Sequence, residues 1–149
     1  MVYRCSKVFQ TGTGNCILFL IFFILEGSMN NKRLGNSFER FMCNYLSDKG
    51  YWVHFISPDR RGAQPFDIIA VRDDVPVVMD CKTCKDHIFR IGRLEDNQIC
   101  AFDKWLSCGN KMAYIAVLHD NKLYLIYYKQ IKNLGSIDLD TIQPSAFLK

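Results

Sequence analysis

The apolar positions divide the chain into a short opening stretch and a longer remainder with ordinary helical and strand periods. Across residues 30–49, Leu34, Phe38, Phe41, Met42, Tyr45 and Leu46 recur at three- and four-residue steps. That is the period of a helix burying one face. Gly50 follows where helices commonly end. Residues 51–56 are aromatic and β-branched and predict a strand, and 57–62 form a polar, basic loop. A second strand is expected over 66–71, a turn at Asp73-Asp74 and a third strand over 75–83. Residues 92–108 read as a helix with Leu94, Ile99, Phe102, Trp105 and Leu106 on one side, closed by Gly109-Asn110. Two further strands, 112–118 and 122–128, flank a His119-Asp120-Asn121 turn. Beyond Gln130 the pattern thins to a short helix and a loose tail. The order helix, three strands, helix, two strands predicts an α/β or α+β domain with a mixed sheet and helices on its faces. Trp52 and Trp105 are expected in the core.

The opening stretch is different. Residues 16–25 read CILFLIFFIL, ten apolar residues in a row, whereas a membrane-spanning helix needs about 20. Arg4 and Lys7 ahead of the run and Gly27-Ser28 after it give it the look of a signal-peptide core. Translation starting at Met29 fits better. Glu26-Gly27-Ser28 can be encoded by a purine-rich stretch resembling a bacterial ribosome-binding site, and ordinary soluble-domain patterning begins only there. Residues 1–28 are therefore expected to be a non-native extension, with a signal or anchor segment as the alternative. Residues 29–149 are expected to form a single cytoplasmic domain.

Composition narrows the function classes. With 149 residues, 49% hydrophobic and 13% aromatic, the chain is long and apolar enough for one core and is no disordered tail. Its net charge of +4 permits a nucleic-acid partner but excludes histone-like binding by charge alone. Seven cysteines cannot all pair within the chain, and Cys43, Cys81 and Cys100 sit in apolar-patterned segments, so free cysteines acting as small hydrophobes are expected. Cys81-x-x-Cys84 has no second copy, and Cys100 and Cys108 lack structural-zinc spacing, so no metal–thiolate site is expected. His54, His87 and His119 share no pattern and are read as satisfied or exposed.

The candidate chemistry lies on the third strand. Side chains alternate along a strand, so Asp80 and Lys82 share one face while Met79 and Cys81 share the other. The apolar run before them places this pair in the core, where charge is costly unless paired or bound to metal. The neighbouring strand adds Asp67, between Phe66 and Ile68. Two carboxylates with room for water suit Mg²⁺ or Mn²⁺, and such an ion lowers the pKa of bound water and stabilises charge on a phosphoryl oxygen. A lysine beside it can orient or deprotonate the attacking water. This is equipment for hydrolysing a phosphodiester. The alternative is a buried ion pair, Lys82 with Asp80 or Asp67, and no catalysis.

Pro65-Phe66-Asp67 followed by Asp80-Cys81-Lys82 on the next strand resembles the PD-(D/E)xK nuclease signature, with Phe66 inserted in the first motif. Gly35-Asn36-Ser37-Phe38-Glu39-Arg40 resembles the glycine-x-x-x-glutamate-arginine opening of archaeal-type Holliday junction resolvases. Gln98 matches the glutamine that several branches of the superfamily place near the metal. These motifs stand in the right order between about Arg33 and Tyr128.

The resemblance implies a restriction-endonuclease-like α/β fold, a mixed central sheet flanked by helices, carrying a Mg²⁺-dependent DNA endonuclease, with Mn²⁺ as an alternative ion. The implied catalytic set is Glu39, Asp67, Asp80, Lys82 and Gln98. Asp67, Asp80 and the Cys81 backbone carbonyl would hold the metal, with Glu39 reaching it indirectly. Lys82 would handle the water, and Gln98 would orient the nucleophile or Lys82. Arg40, Arg60 and Arg61 would hold phosphates, and Lys85, Arg90 and Arg93 would line a DNA channel or stand as a solvated face. The implied activity is paired nicking of four-way junctions, in the service of recombination and repair. That requires a homodimer, for which exposed apolar residues on the last strands are candidate contacts. The rivals are another small phage or mobile-element nuclease of the superfamily and a non-catalytic DNA-binding module on the same scaffold.

Overall fold

The computed structural model describes residues 31–57 and 64–147. The expectations for residues 1–28 and for Arg60 and Arg61 fall outside the described residues. The elements in chain order are helix α1 (Asn31–Asp48) and strands β1 (Trp52–Phe55), β2 (Ile68–Arg72), β3 (Val75–Thr83) and β4 (Ile88–Arg90). A 3-10 turn (Ile91–Arg93) then leads to helix α2 (Asp96–Ser107), strands β5 (Met112–His119) and β6 (Lys122–Tyr127) and helix α3 (Tyr128–Leu134). Strand β7 (Ser136–Asp138), a second 3-10 turn (Leu139–Thr141) and strand β8 (Ala146–Phe147) complete the described chain.

Helix α1 ends as its sequence predicts. Gly50 adopts φ +82°, and the Gly50 and Tyr51 amides donate to the carbonyls of Ser47 and Leu46 at 2.9 and 3.1 Å. These two bonds satisfy carbonyls the helix leaves open, in a conformation glycine enters without strain. Both expected turns are two-residue hairpin loops. Asp73, Asp74, Asp120 and Asn121 all have positive φ, the geometry that matches the right-handed twist of the flanking strands.

Six strands form one sheet in the order β1-β2-β3-β5-β6-β8. Every pairing is antiparallel except β3 with β5, which is parallel. A parallel pair needs a crossover, here the segment carrying β4 and α2. Alternation splits the core into two layers. On one side, Phe38, Phe41, Met42 and Leu46 of α1 pack on Ile68, Ala70, Met79 and Ala116. On the other, Phe102, Tyr128 and Ile131 pack on Val78, Ile115, Val117 and Ile126. Among the described residues, no helix is long and apolar enough to cross a membrane.

Several expectations need correction. Residues 92–108 are not one helix: Leu94 is extended and buried, and Glu95 caps α2 through reciprocal side-chain bonds with Gln98, which starts the helix afresh. Trp52 is 63% exposed. It lies on an edge strand and stacks on His54 at 6.0 Å, because alternation turns it away from the α1 layer that covers Val53 and Phe55. Trp105 does pack against the core. Cys100 is exposed rather than buried. After Gln130 the expected short helix is present as α3, but the described residues beyond it are not loose: β7 pairs with β4, strands of three residues each and too short to carry a period. Strands β5, β6 and β7 present no large exposed apolar side chain. Among the described residues, those are Trp52, Val75 and Leu134.

Candidate active site

The site forms where β2 leaves β3. Strand β2 pairs with β3 from Val75 to Met79, whereas β5 accompanies β3 from Val77 to Thr83. From Asp80 onward, the β2 side of β3 is therefore open. The last link is the Asp67 amide, which donates to the Met79 carbonyl at 3.0 Å. Asp67 thus lies one residue outside the strand expected to contain it. Its carboxylate completes the edge: Oδ2 accepts from the Cys81 amide at 2.6 Å. A strand residue's N–H and C=O lie on the same edge, so the Cys81 carbonyl faces this same opening beside Asp67.

Asp80 and Lys82 face the α2 side, on the alternation that buries Val78 there. Asp80 is fully buried. Its Oδ1 accepts from Gln98 Nε2 at 2.5 Å, and Lys82 Nζ stands 2.8 Å from its Oδ2. Lys82 thus satisfies Oδ2 as an ion pair while Gln98 satisfies Oδ1. Gln98 Oε1 accepts from the Glu95 amide at 3.1 Å and from Lys82 Nζ at 3.3 Å. The residue that caps α2 therefore also spans the acid and the lysine. Cys81 points the other way, packing against the α1 layer, and burial raises its thiol pKa well above the usual value.

Glu39 approaches from α1, close enough to Asp67 and Lys82 to feel both charges. Burial, then repulsion from Asp67, raises its pKa to about 7, with Lys82 opposing. Asp80 is likewise raised to about 7, chiefly by burial and then by Asp67, with Lys82 again opposing. Three carboxylates thus share one ammonium. Among the described residues, no three His, Cys, Asp or Glu side chains converge as a complete metal cage. A hard ion would rely on the Asp67 and Asp80 carboxylates, the Cys81 carbonyl and water, in keeping with the small protein ligand sets that Mg²⁺ accepts. The crowding of carboxylates around a single ammonium fits such an ion.

The candidate phosphate contacts are scattered. Arg93 donates to the Thr83 carbonyl at 2.9 Å, which sets it at the end of β3 beside Lys82. Lys85 is exposed in the segment after β3. Arg40 is exposed one residue beyond Glu39, and Arg90 is exposed at the end of β4. His119 is buried with Nδ1 3.0 Å from the Cys84 carbonyl, while His54 and His87 are exposed.

The sequence profile of the archaeal Holliday junction resolvases (Hjc) matches residues 30–144. The chain belongs to this family. Among solved structures, the fold is similar to that of Archaeoglobus fulgidus Hjc, a Holliday junction resolvase from an archaeal hyperthermophile. The TM-score is 0.55 at 17% identity, over 69% of this chain and 85% of that one. No curated protein matches the chain. Membership makes the protein a nuclease of the junction-resolving class, and the PD-(D/E)xK resemblance of the sequence agrees with it. One residue that touches the candidate site escaped the sequence pattern. Gln64 donates through Nε2 to Asp67 Oδ1 at 2.5 Å. Only its nearness to Asp67 in the chain pointed to it, and a lone glutamine before a strand carries no period or motif.

Proposed function

We propose that this resolvase cuts four-way DNA junctions by metal-assisted hydrolysis of phosphodiesters, with Mg²⁺ as the resident ion and Mn²⁺ as an alternative. Asp67, Asp80 and the Cys81 carbonyl hold the ion. When bound, it supplies an acidified water and neutralises charge on a phosphoryl oxygen. Lys82, held between Asp80 and Gln98, presents its ammonium to the attacking water and the phosphate. Gln98 keeps Asp80 and Lys82 in register, and Glu39 acts on the site through water from the α1 side. Arg40, Lys85, Arg90 and Arg93 take phosphates along the DNA, joined by Arg60 and Arg61. The observation that carries this reading is the buried Asp80–Lys82–Gln98 cluster beside Asp67, at the point where β2 leaves β3.

Two symmetric nicks need two sites, so the working unit is a homodimer, acting on DNA in the cytoplasm. The test is cleavage of labelled four-way junction, linear duplex and single-stranded DNA in Mg²⁺, with Lys82→Ala and Asp80→Asn alongside. Paired symmetric nicks in the junction, lost in both variants, are expected. Efficient cutting of linear duplex would instead favour a general nuclease. Tight junction binding with no cutting in either ion would favour a binding module.

A further inference from the structure

The proposed ion is held by carboxylates that are themselves held, and the two are anchored differently. Gln98 donates directly to Asp80. Asp67 is gripped by the Cys81 amide on Oδ2 and by Gln64 Nε2 on Oδ1. The Gln64 main-chain carbonyl in turn accepts from Asn97 Nδ2 at 3.3 Å. Neighbouring residues in the first turn of α2 therefore bond Asp80 directly and, through Asn97, the residue that grips Asp67. Among the described residues, the buried Gln64 amide oxygen has no hydrogen-bond partner. Exchanging the amide's oxygen and nitrogen would set two acceptors against each other at Asp67 Oδ1, so the carboxylate dictates the orientation and leaves the oxygen in need of a donor. A hydrated cation beside Asp67 would meet that need, with its charge at the carboxylate and its water hydrogens at the amide oxygen.

We propose that Gln64 is a positioning residue for Asp67, tied to α2 through Asn97, so that the start of α2 sets the placement of both carboxylates toward a divalent ion. The inference rests on the metal reading above. Gln64→Met keeps the size and removes both ends of the amide, Asn97→Ala removes the tie, and Asp67→Asn serves as control. Mn²⁺ binding to the full chain is measured by calorimetry, with melting in chelator and the Mn²⁺ dependence of junction cleavage alongside. Gln64→Met should weaken Mn²⁺ binding by about 10–100-fold, the usual effect of losing a partner behind a ligand. Asn97→Ala should act in the same direction by less. The Mn²⁺ concentration needed for cleavage should rise by a larger factor than the rate at saturating Mn²⁺ falls. Melting in chelator should stay near that of the unsubstituted chain. Unchanged Mn²⁺ affinity in both variants, with binding lost in Asp67→Asn, would overturn the inference and leave the metal reading standing. So would a lowered melting temperature at unchanged affinity, the mark of a purely structural role. Unchanged Mn²⁺ binding in Asp67→Asn would overturn the metal reading and this inference together. If Gln64→Met fails to fold, Asn97→Ala, at an exposed position, decides.

Discussion

Strand β3 is one continuous strand with two environments. Its first part, Val77, Val78 and Met79, lies between β2 and β5 and is 5%, 0% and 2% exposed. Its second part, from Asp80 to Thr83, keeps β5 on one side only. Where both neighbours remain, the backbone is satisfied by the ladder and the side chains are apolar. Where β2 departs, the freed edge needs new partners. A carboxylate from the departing chain takes the first vacancy, at the Cys81 amide. The same divergence lets Glu39 approach from the α1 layer while Gln98 approaches from the other. A parting of strands thus turns a core strand into a charged centre without ending the strand.

The contrast predicts that substitutions in the two parts fail differently. The largest effect is expected in the open part. Lys82→Ala should lower single-turnover junction cleavage by about 10²–10⁴-fold, the range for a group acting on protons in the transition state, while the chain stays folded. Asp80→Asn should abolish cleavage to a similar degree without lowering the melting temperature of the metal-free protein, since it removes a buried like charge. A collapse in stability in either variant would break the contrast.

In the closed part, Met79→Ala should cost about 2–5 kcal/mol of stability, the range for truncating a core side chain, as read by denaturant unfolding. The folded fraction should still cut junctions. Activity lost at unchanged stability would tie Met79 to the chemistry after all.

A smaller effect concerns pH. Asp80 and Glu39 have folded pKa values raised to about 7, so the folded metal-free protein binds protons more tightly than the unfolded chain. Their contribution to stability is therefore present at low pH and lost as pH rises from the ordinary carboxylate range through about 7. In chelator, the difference in melting temperature between the parent and Asp80→Asn should shift in favour of the variant between about pH 5 and pH 8. Mg²⁺, which binds the ionised carboxylates, should raise the parent's melting temperature more at the higher pH. A parent-to-variant difference that ignores pH would refute the raised Asp80 pKa.

The smallest effect lies away from the site. Asp103 accepts from Lys132 at 2.6 Å and from Tyr128 at 3.0 Å, and the Lys132 bond chiefly holds its pKa below the usual value. Its stabilising contribution runs opposite to that of Asp80, present above the ordinary carboxylate range and lost in acid. Lys132→Ala should cost only about 0–1 kcal/mol, as exposed pairs do, and should leave cleavage unchanged. A loss of several times that in chemical denaturation would show the pair to be more than a surface contact.

Much of this molecule could be read from local pattern. The period of Phe38, Phe41, Met42 and Leu46 predicted α1 and its buried face, and Gly50 its end. Asp73-Asp74 and Asp120-Asn121 marked both tight hairpins. Alternation put Asp80 and Lys82 on one side of β3, with Cys81 turned away, before any contact was known. These features depend on backbone geometry within a few residues, so the order of residue types is enough to state them. The tertiary structure decided the rest. It fixed where β2 parts from β3, that Trp52 stands on an uncovered face, that Leu94 interrupts the expected helix, and that β4 finds β7. It also decided that Gln64 grips Asp67. The bonds that build the site join residues 14, 18 and 33 positions apart. Local periodicity aims a side chain at one face of its own element, but which distant group waits there depends on how the layers stack and where two strands separate.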